Sequence, residues 1–484
     1  HVGNLRTALF NYLFARHNGG THILRIEDTD QNRKIEGSIE HLLKILQQLG
    51  IDFDEGIYLD EKNEIAERGG HGPYVQSQRL ELYQKYAKQL VDQGSAYYCF
   101  CDEARLDELR KEQVALKKPT MYDRHCRYLP KEEAAAKLAE FQAAGKAPVI
   151  RQAIPEEGST TYNDLIYGEI TIEHKNLDDQ VLLKSDGYPT YHLAVVVDDH
   201  TMEISHTIRG EEYLSSAPKH FLMYQAFGWE PPQFAHMPLI LNPDKSKLSK
   251  RQGDVAVEDY LTKGYLPEAL VNFIAFLGWN PKSEQEIFSL GELIKIFDLA
   301  HVNRSGAVFD INKLDWINSH YIRAKSNAEL AEMLLPYWKE AGIDAGGSPA
   351  PYLEAIVGLE KDRLKKLSEI GERTAYFFRG PEYEGAMLVW KKSDAARTKE
   401  VLRKLLVHLE QLDDREFVLP NLENQIKQFI SDNGYDNGSV LWPLRVALTG
   451  LEKSPGPFEV TATLALGPGK TEILKRLEIA AQKL

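Results

Sequence analysis

Cysteine is scarce: the chain has 484 residues and three cysteines. That excludes a disulfide framework and suits a reducing compartment, so a cytoplasmic location is expected. No apolar run reaches the roughly 18 residues that a membrane-spanning helix needs, which sets a membrane partner aside. Positive charge is also short. Lys and Arg total 58 against 72 Asp and Glu, for a formal net charge of −14. Phosphate binding rests on Lys and Arg, so a general coat of nucleic-acid affinity is excluded. A specific RNA partner is not, because the local field decides, and basic clusters stand at 245–251, 361–366 and 391–392. No internal repeat, low-complexity tract or secretory signal is visible. The chain opens on His1, inside a motif and not on Met, so a further segment is expected upstream.

What is present reads as a globular protein of several domains. Leu5, Ala8, Leu9, Tyr12 and Leu13 recur at helical spacing until Gly19 and Gly20 stop them. A strand is expected at 22–26, ending in Glu27-Asp28-Thr29-Asp30, with helices at 36–49 and 79–93. This alternation argues for an α/β sheet with parallel strands. From Tyr97 to about 180 the texture changes to short strands, a charged helix and Pro-containing turns, as in an insertion. Strands are expected again at 180–184 and 191–197, the latter a continuous apolar run suited to a buried strand. Helices at 218–227 and 267–277 follow. Beyond about 325 strand signals vanish, and 330–341, 352–366, 395–411 and 421–433 carry helical periodicity. Arg379-Gly380-Pro381 breaks this all-α region.

Three groups of residues carry chemistry. His1-Val2-Gly3-Asn4 stands at a helix start, where unpaired N–H groups and the helix dipole favour phosphate. Gly3 lets a ligand approach the backbone, and His1 offers a hydrogen bond to a phosphoryl oxygen. Lys247-Leu248-Ser249-Lys250-Arg251 places three cations in one short string, enough to neutralise a triphosphate and its leaving pyrophosphate. Each string alone is matched by a plainer explanation, helix capping for the first and a solvated basic loop for the second. All three cysteines, Cys99, Cys101 and Cys126, fall close together, with Tyr122 and His125 beside the third. Zn²⁺ takes four ligands, commonly thiolate and imidazole, so Tyr122 or His125 would complete the set. Three small thiols packed in a hairpin would look the same in sequence.

As a pair, HVGN at 1–4 and KLSKR at 247–251 resemble the two signature motifs of class I aminoacyl-tRNA synthetases. Asn4 replaces the second histidine of the first motif. Further strings resemble the bacterial glutamyl-tRNA synthetases over essentially the whole chain: LRIEDTD (24–30), HGPYVQSQR (71–79), LLKSDGYPTYHLAVVVDDH (182–200), IRGEEYLSS (208–216), HMPLILNPDKSKLSKR (236–251), VFDINKLDWIN (308–318), WPLRVALTG (442–450) and SPGPFEV (454–460). The resemblance implies a Rossmann-like parallel sheet with an inserted acceptor-binding α+β domain, followed by an all-α anticodon-binding region. It divides the chain into 1–98 and 181–240 (catalytic halves), 99–180 (insertion), 241–325 (KLSKR loop and stem contact), and 326–385 and 386–484 (two helical subdomains).

The resemblance also implies roles. Substrates would be ATP with Mg²⁺, L-glutamate and tRNA-Glu, and the enzyme a monomer. His1, Gly3, Lys247 and Lys250 would serve catalysis. ATP would be held by His1, Gly3, Asn4, Lys247, Ser249, Lys250 and Arg251. Glu27 matches the residue that meets the glutamate ammonium, Arg209 the one that pairs with the side-chain carboxylate, and Tyr191 a further pocket residue. A guanidinium can bind a carboxylate bidentately, which a lysine cannot. Arg363, Arg445, Ser454 and Pro455 match positions that face the anticodon. Cys99, Cys101, Cys126 and Tyr122 match a zinc site present in some relatives, with Tyr128 where others carry histidine. Val195 stands where many relatives have asparagine. An upstream strand that touches glutamate in the family is expected before His1. The C-terminal Gly467-Pro468-Gly469-Lys470-Thr471 imitates a P-loop but has Leu464 where that motif needs glycine. A shortened paralogue that modifies a tRNA base lacks the region beyond 325. A catalytically dead RNA-binding relative is disfavoured by intact His1, Gly3, Lys247 and Lys250.

Overall fold

A computed structural model describes residues 1–30, 36–248 and 256–484. They form two compact units, 1–258 with 271–310, and 259–270 with 311–484.

The first unit is α/β. Its opening helix, Val2–His17, buries Leu5, Leu9, Phe10 and Leu13 on one face and ends at Asn18 and Gly19. Arg6 shares the buried face and donates to the carbonyls of Leu277 (3.1 Å) and Pro238, which pins the helix to the second half of the unit. A three-stranded sheet runs in the order Ile23–Leu24, Glu55–Leu59, Ile65–Arg68, its first pair parallel and its second antiparallel. The strand expected at 22–26 is thus a two-residue pair, with Ile26 adding a bridge to Val75. A four-stranded sheet runs Gly168–Glu173, Ser159–Asp164, Gln233–Met237, His206–Gly210. Its last two strands are parallel in register Gln233 to His206 through Met237 to Gly210. A third, antiparallel sheet joins Ala96–Cys99, Val149–Gln152 and Val181–Leu183 and carries the helices Glu103–Ala115 and Lys131–Ala143.

One expectation is overturned. The apolar run 191–197 is not a strand but the start of the helix Tyr191–Thr201, buried from Leu193 through Asp199. A short apolar run has the same appearance in a buried strand and in a helix enclosed on all sides, and the β-branched valines tipped the reading the wrong way. The helix is held at its far end by charge. Asp198 accepts from Arg79 Nε, Gln76 Nε2 and the Tyr83 hydroxyl, all at 2.8 Å, which compensates a fully buried carboxylate.

In the second unit every regular element among the described residues is helical. The main helices are Asn327–Glu340, Ala350–Glu360, Ile370–Phe378, Ala395–Glu410, Leu419–Asp432, Asn437–Thr449, Pro457–Leu466 and Gly469–Gln482. The helix expected over 352–366 stops at Glu360 and gives way to a 3-10 turn, Lys361–Arg363. Tertiary hydrogen bonds explain the stop. Asn318 Nδ2 donates to the Lys365 carbonyl (2.7 Å), and the Leu367 N–H donates to the Gly264 carbonyl (3.1 Å). At Gly264, φ is +85° and a Cβ would lie 2.6 Å from the Leu367 nitrogen, so only glycine fits. The break at Arg379 is clamped by the buried Arg476, whose Nη1 donates to the carbonyls of Tyr376 and Leu448 at 2.7 Å.

Candidate active site

His1 is the N-cap of the first helix. Its Nδ1 accepts from the Gly3 N–H at 3.0 Å, which in the neutral ring leaves the proton on Nε2. The first turn holds no acidic residue, so the positive end of the helix dipole is not neutralised from within. Capping and phosphate binding, rivals in the sequence, are compatible in this geometry: one ring nitrogen caps and the other is a donor.

His1 and Asn4 line a cleft of about 1100 Å³ together with Thr7, Asn11, Arg25 and Glu27. The cleft is lined by Ile23–Leu24, an edge of the first three-stranded sheet, and by residues of His206–Gly210, an edge of the four-stranded sheet, and these edges do not pair with each other. Asn11 holds its floor by donating to the Ile208 carbonyl at 2.8 Å.

Glu27 is exposed at the cleft edge and pairs with Arg25 at 3.0 Å. Arg25 also reaches Asp199 at 2.9 Å and Asp198 at 3.6 Å. The sequence string LRIEDTD contains Arg25, yet its role as the cation that orients Glu27 was not anticipated.

Arg209 lies at the centre of the strand His206–Gly210 and is buried. Its Nη1 donates to the Tyr191 hydroxyl at 3.0 Å, and its Nε donates to His236 Nε2 at 3.0 Å. Its Nη2 is buried with no hydrogen-bond partner among the described residues. Phe234 and Tyr213 lie 4.9 and 5.5 Å from the guanidinium carbon. Burial pushes the Tyr191 phenol up, and the negative charge of Glu27 adds to the same rise. The structure therefore joins Arg209 to Tyr191 and sets Glu27 nearby. His236 and Asp164 are additions. His236 opens one of the quoted strings, but nothing in the string marks it as a partner of Arg209, and Asp164 carries no motif at all. Val195, at the position of the family asparagine, is buried.

On the phosphate side, Lys247 is exposed and bridges Leu241 in a hairpin. The turn is fixed by Asn242 Nδ2 donating to Ser246 Oγ (3.0 Å) and Ser246 Oγ donating to Asp244 (2.5 Å). Ser249, Lys250 and Arg251 lie outside the described residues.

The three cysteines converge. Their sulfurs lie within 4.8 Å of one another, Cys101 and Cys126 at 3.6 Å. The Tyr122 hydroxyl lies 3.4 Å from Cys99 and 3.3 Å from Cys101. Around a tetrahedral zinc, with Zn–S near 2.3 Å and Zn–O near 2.0 Å, neighbouring ligand atoms stand about 3.5 to 3.8 Å apart. The donor set fits that shape. His125 is exposed and outside the cluster, which favours Tyr122 as the fourth donor. Tyr128 is exposed and bonds Glu156 instead.

In the second unit Arg363 is half-exposed, at 4.0 Å from the buried Glu360. Arg445 lies on the helix Asn437–Thr449 with its Nε buried and without a partner among the described residues. Ser454 Oγ donates to the Pro455 carbonyl at 2.9 Å in the turn before the helix Pro457–Leu466.

A helix N-terminus and a buried, incompletely paired guanidinium on one α/β unit are two features suited to anions. The family of class I tRNA synthetases for E and Q, catalytic domain, matches residues 1–316, and the anticodon-binding domain family matches residues 329–481. The chain belongs to the class I tRNA synthetases of the E and Q type. It is similar to the glutamate–tRNA ligase of Alkaliphilus metalliredigens, with 44% identity over 100% of this chain and 97% of that protein. It is also 49% identical to the glutamate–tRNA ligase of Clostridioides difficile, over 78% of this chain and 76% of that protein. Among solved structures, a glutamate tRNA ligase from Elizabethkingia meningosepticum in complex with its amino acid superposes with a TM-score of 0.85. It is 35% identical, covering 100% of this chain and 96% of that one.

Proposed function

We propose that the protein is a glutamate–tRNA ligase, which activates L-glutamate with ATP to glutamyl-adenylate and transfers the glutamyl group to the terminal adenosine of tRNA-Glu. The observation that carries this reading is the buried Nη2 of Arg209, a donor with no partner among the described residues, beside the Tyr191 hydroxyl. An unpaired buried donor is costly, and a side-chain carboxylate satisfies it. Glu27, steadied by Arg25, takes the substrate ammonium. The α-carboxylate then attacks the α-phosphorus of ATP, and pyrophosphate leaves. His1 donates from Nε2 to the phosphoryl oxygens, Gly3 and Asn4 line their approach, and Lys247, with Ser249, Lys250 and Arg251, offsets the charge of the leaving group. Mg²⁺ arrives with ATP. Positioning and electrostatics do the work, with little covalent chemistry left to side chains.

In this reading residues 99–180 meet the acceptor end, and 326–385 with 386–484 read the anticodon. Arg363, Arg445, Ser454 and Pro455 contact its bases, and Arg363 favours tRNA-Glu over tRNA-Gln. Cys99, Cys101, Cys126 and Tyr122 would hold a zinc ion, which would cross-link the insertion. The enzyme acts as a monomer in the cytoplasm.

The test is tRNA-dependent ATP–pyrophosphate exchange by the full-length protein, using glutamate, glutamine and aspartate. Exchange with glutamate alone is expected. Equal exchange with glutamine, or none with any of the three, overturns the reading.

A further inference from the structure

Behind Arg209 lies a chain of hydrogen bonds in which every proton has a defined direction. Asp164 ends the strand Ser159–Asp164 and is fully buried. Its Oδ1 accepts from the N–H groups of Ile166 and Tyr167 at 2.9 Å, and its Oδ2 from the His236 N–H at 3.1 Å. Burial opposes its charge, but hydrogen bonds from His236, Tyr167 and Ile166 hold its carboxyl below the usual range, so it is ionised. An ionised carboxylate only accepts. The 2.6 Å contact to His236 Nδ1 is therefore an Nδ1–H donation, and in a neutral ring Nε2 is bare. Burial, ahead of every opposing effect, lowers His236 and keeps the ring neutral. The bare Nε2 accepts the Arg209 Nε–H.

We infer that Asp164 and His236 are positioning residues, which fix the tautomer behind Arg209 and so make the pocket accept a carboxylate and refuse an amide. The inference rests on the reading of Arg209 as the residue that meets the substrate side chain. With Nε anchored and Phe234 and Tyr213 beside the guanidinium, the plane of Arg209 is set. Nη1 donates to Tyr191, so the Tyr191 oxygen is occupied as an acceptor and its own O–H points onward. The pocket then presents two donors, Arg209 Nη2–H and Tyr191 O–H. Two carboxylate oxygens satisfy both. The amide of glutamine offers one oxygen and brings N–H groups that find no acceptor.

The test uses the full-length protein, measuring KM for glutamate, glutamine and ATP in tRNA-dependent exchange, with melting curves for each variant. His236→Leu removes both hydrogen bonds. Asp164→Asn donates to Nδ1, which drives the ring proton to Nε2 against Arg209. Both are expected to raise the glutamate KM roughly 10- to 100-fold, the range for lost bonds to a charged group. The ATP KM stays within about twofold, and the preference for glutamate over glutamine falls about tenfold or more. His236→Gln, whose carbonyl accepts from Arg209 and whose amide donates to Asp164, restores the glutamate KM. Arg209→Gln separates the two readings. If it leaves the glutamate KM unchanged, the reading of the pocket fails. If it raises that KM while His236→Leu and Asp164→Asn do not, the positioning inference alone is overturned. Glutamate and ATP KM rising together, or no rescue by His236→Gln, also overturns it.

Discussion

Two buried polar clusters in the first unit invite comparison. Around Arg209, residues from positions 164, 191, 209 and 236 converge on one cation and leave a donor unused. Around Cys101, residues from 99 to 126 converge as four donor atoms. The first has the chemistry to receive an anion, and the second the donor geometry of a metal site. The first is assembled from distant strands and a helix, so its geometry depends on the whole α/β fold. The second is nearly local, one strand end and a short 3-10 turn, His125–Tyr128, so a single ligand can order it. On the proposed reading, specificity falls to a cluster that the whole fold assembles, and the metal to one that a short stretch of chain supplies.

The comparison is broken most severely at Arg209. Arg209→Ala should lower kcat/KM for glutamate about 10³-fold or more, because a site that bonds a charged group loses its cation. An effect below about tenfold would mean that the substrate carboxylate is held elsewhere. Next is the metal side. Protein purified without chelator should carry about one equivalent of zinc, and Cys101→Ser should lose it and melt several degrees lower. Glutamate KM measured on the same variant should stay near that of the parent, which tells the two clusters apart. Metal content below about a tenth of an equivalent in the parent would remove the zinc assignment. Tyr191→Phe removes one donor and should raise the glutamate KM about tenfold with the ATP KM unchanged.

The pH dependence of stability is a smaller effect. Burial, with Lys219 and Arg209 nearby, pushes His192 down to about 4, and burial also lowers His22, His220 and His236. A histidine lowered in the folded state contributes its full stability above the unfolded value of about 6.5 and loses it as pH falls. For His192 the loss runs down to about 4, at up to about 1.4 kcal/mol per pH unit. Urea melts at pH 7.5, 6 and 5 should show stability falling with pH, and a flat profile would contradict the buried neutral histidines. The smallest change is expected from Arg363→Gln, about fivefold or less in discrimination against tRNA-Gln transcripts, as suits a half-exposed cation with a long ion pair.

Much of this was legible in the sequence where the signal was local or periodic. The opening helix, the helices near 36–49 and 79–93 and the helical C-terminal half follow from apolar spacing and glycine stops. The cysteines were visible because they crowd one segment. Tyr191 and Arg209 were visible only through their strings, and the distance between them is a tertiary fact. The helix at 191–201 was misread because a sequence of buried valines does not reveal how many sides are covered. Asp164 was invisible: an acid after a strand is an ordinary turn residue until His236 is seen above it.

Arg209 Nη2 has a consequence beyond recognition. Without ligand, the protein carries a desolvated cation that lacks its complement. On the proposed reading glutamate settles there and binds the folded chain and not the unfolded one, so free glutamate is expected to be a stabiliser. By mass action a concentration a hundredfold above Kd adds about 2.7 kcal/mol. The resistance of the catalytic unit to unfolding is thereby tied to the abundance of its own substrate, and a starved enzyme is also a softer one.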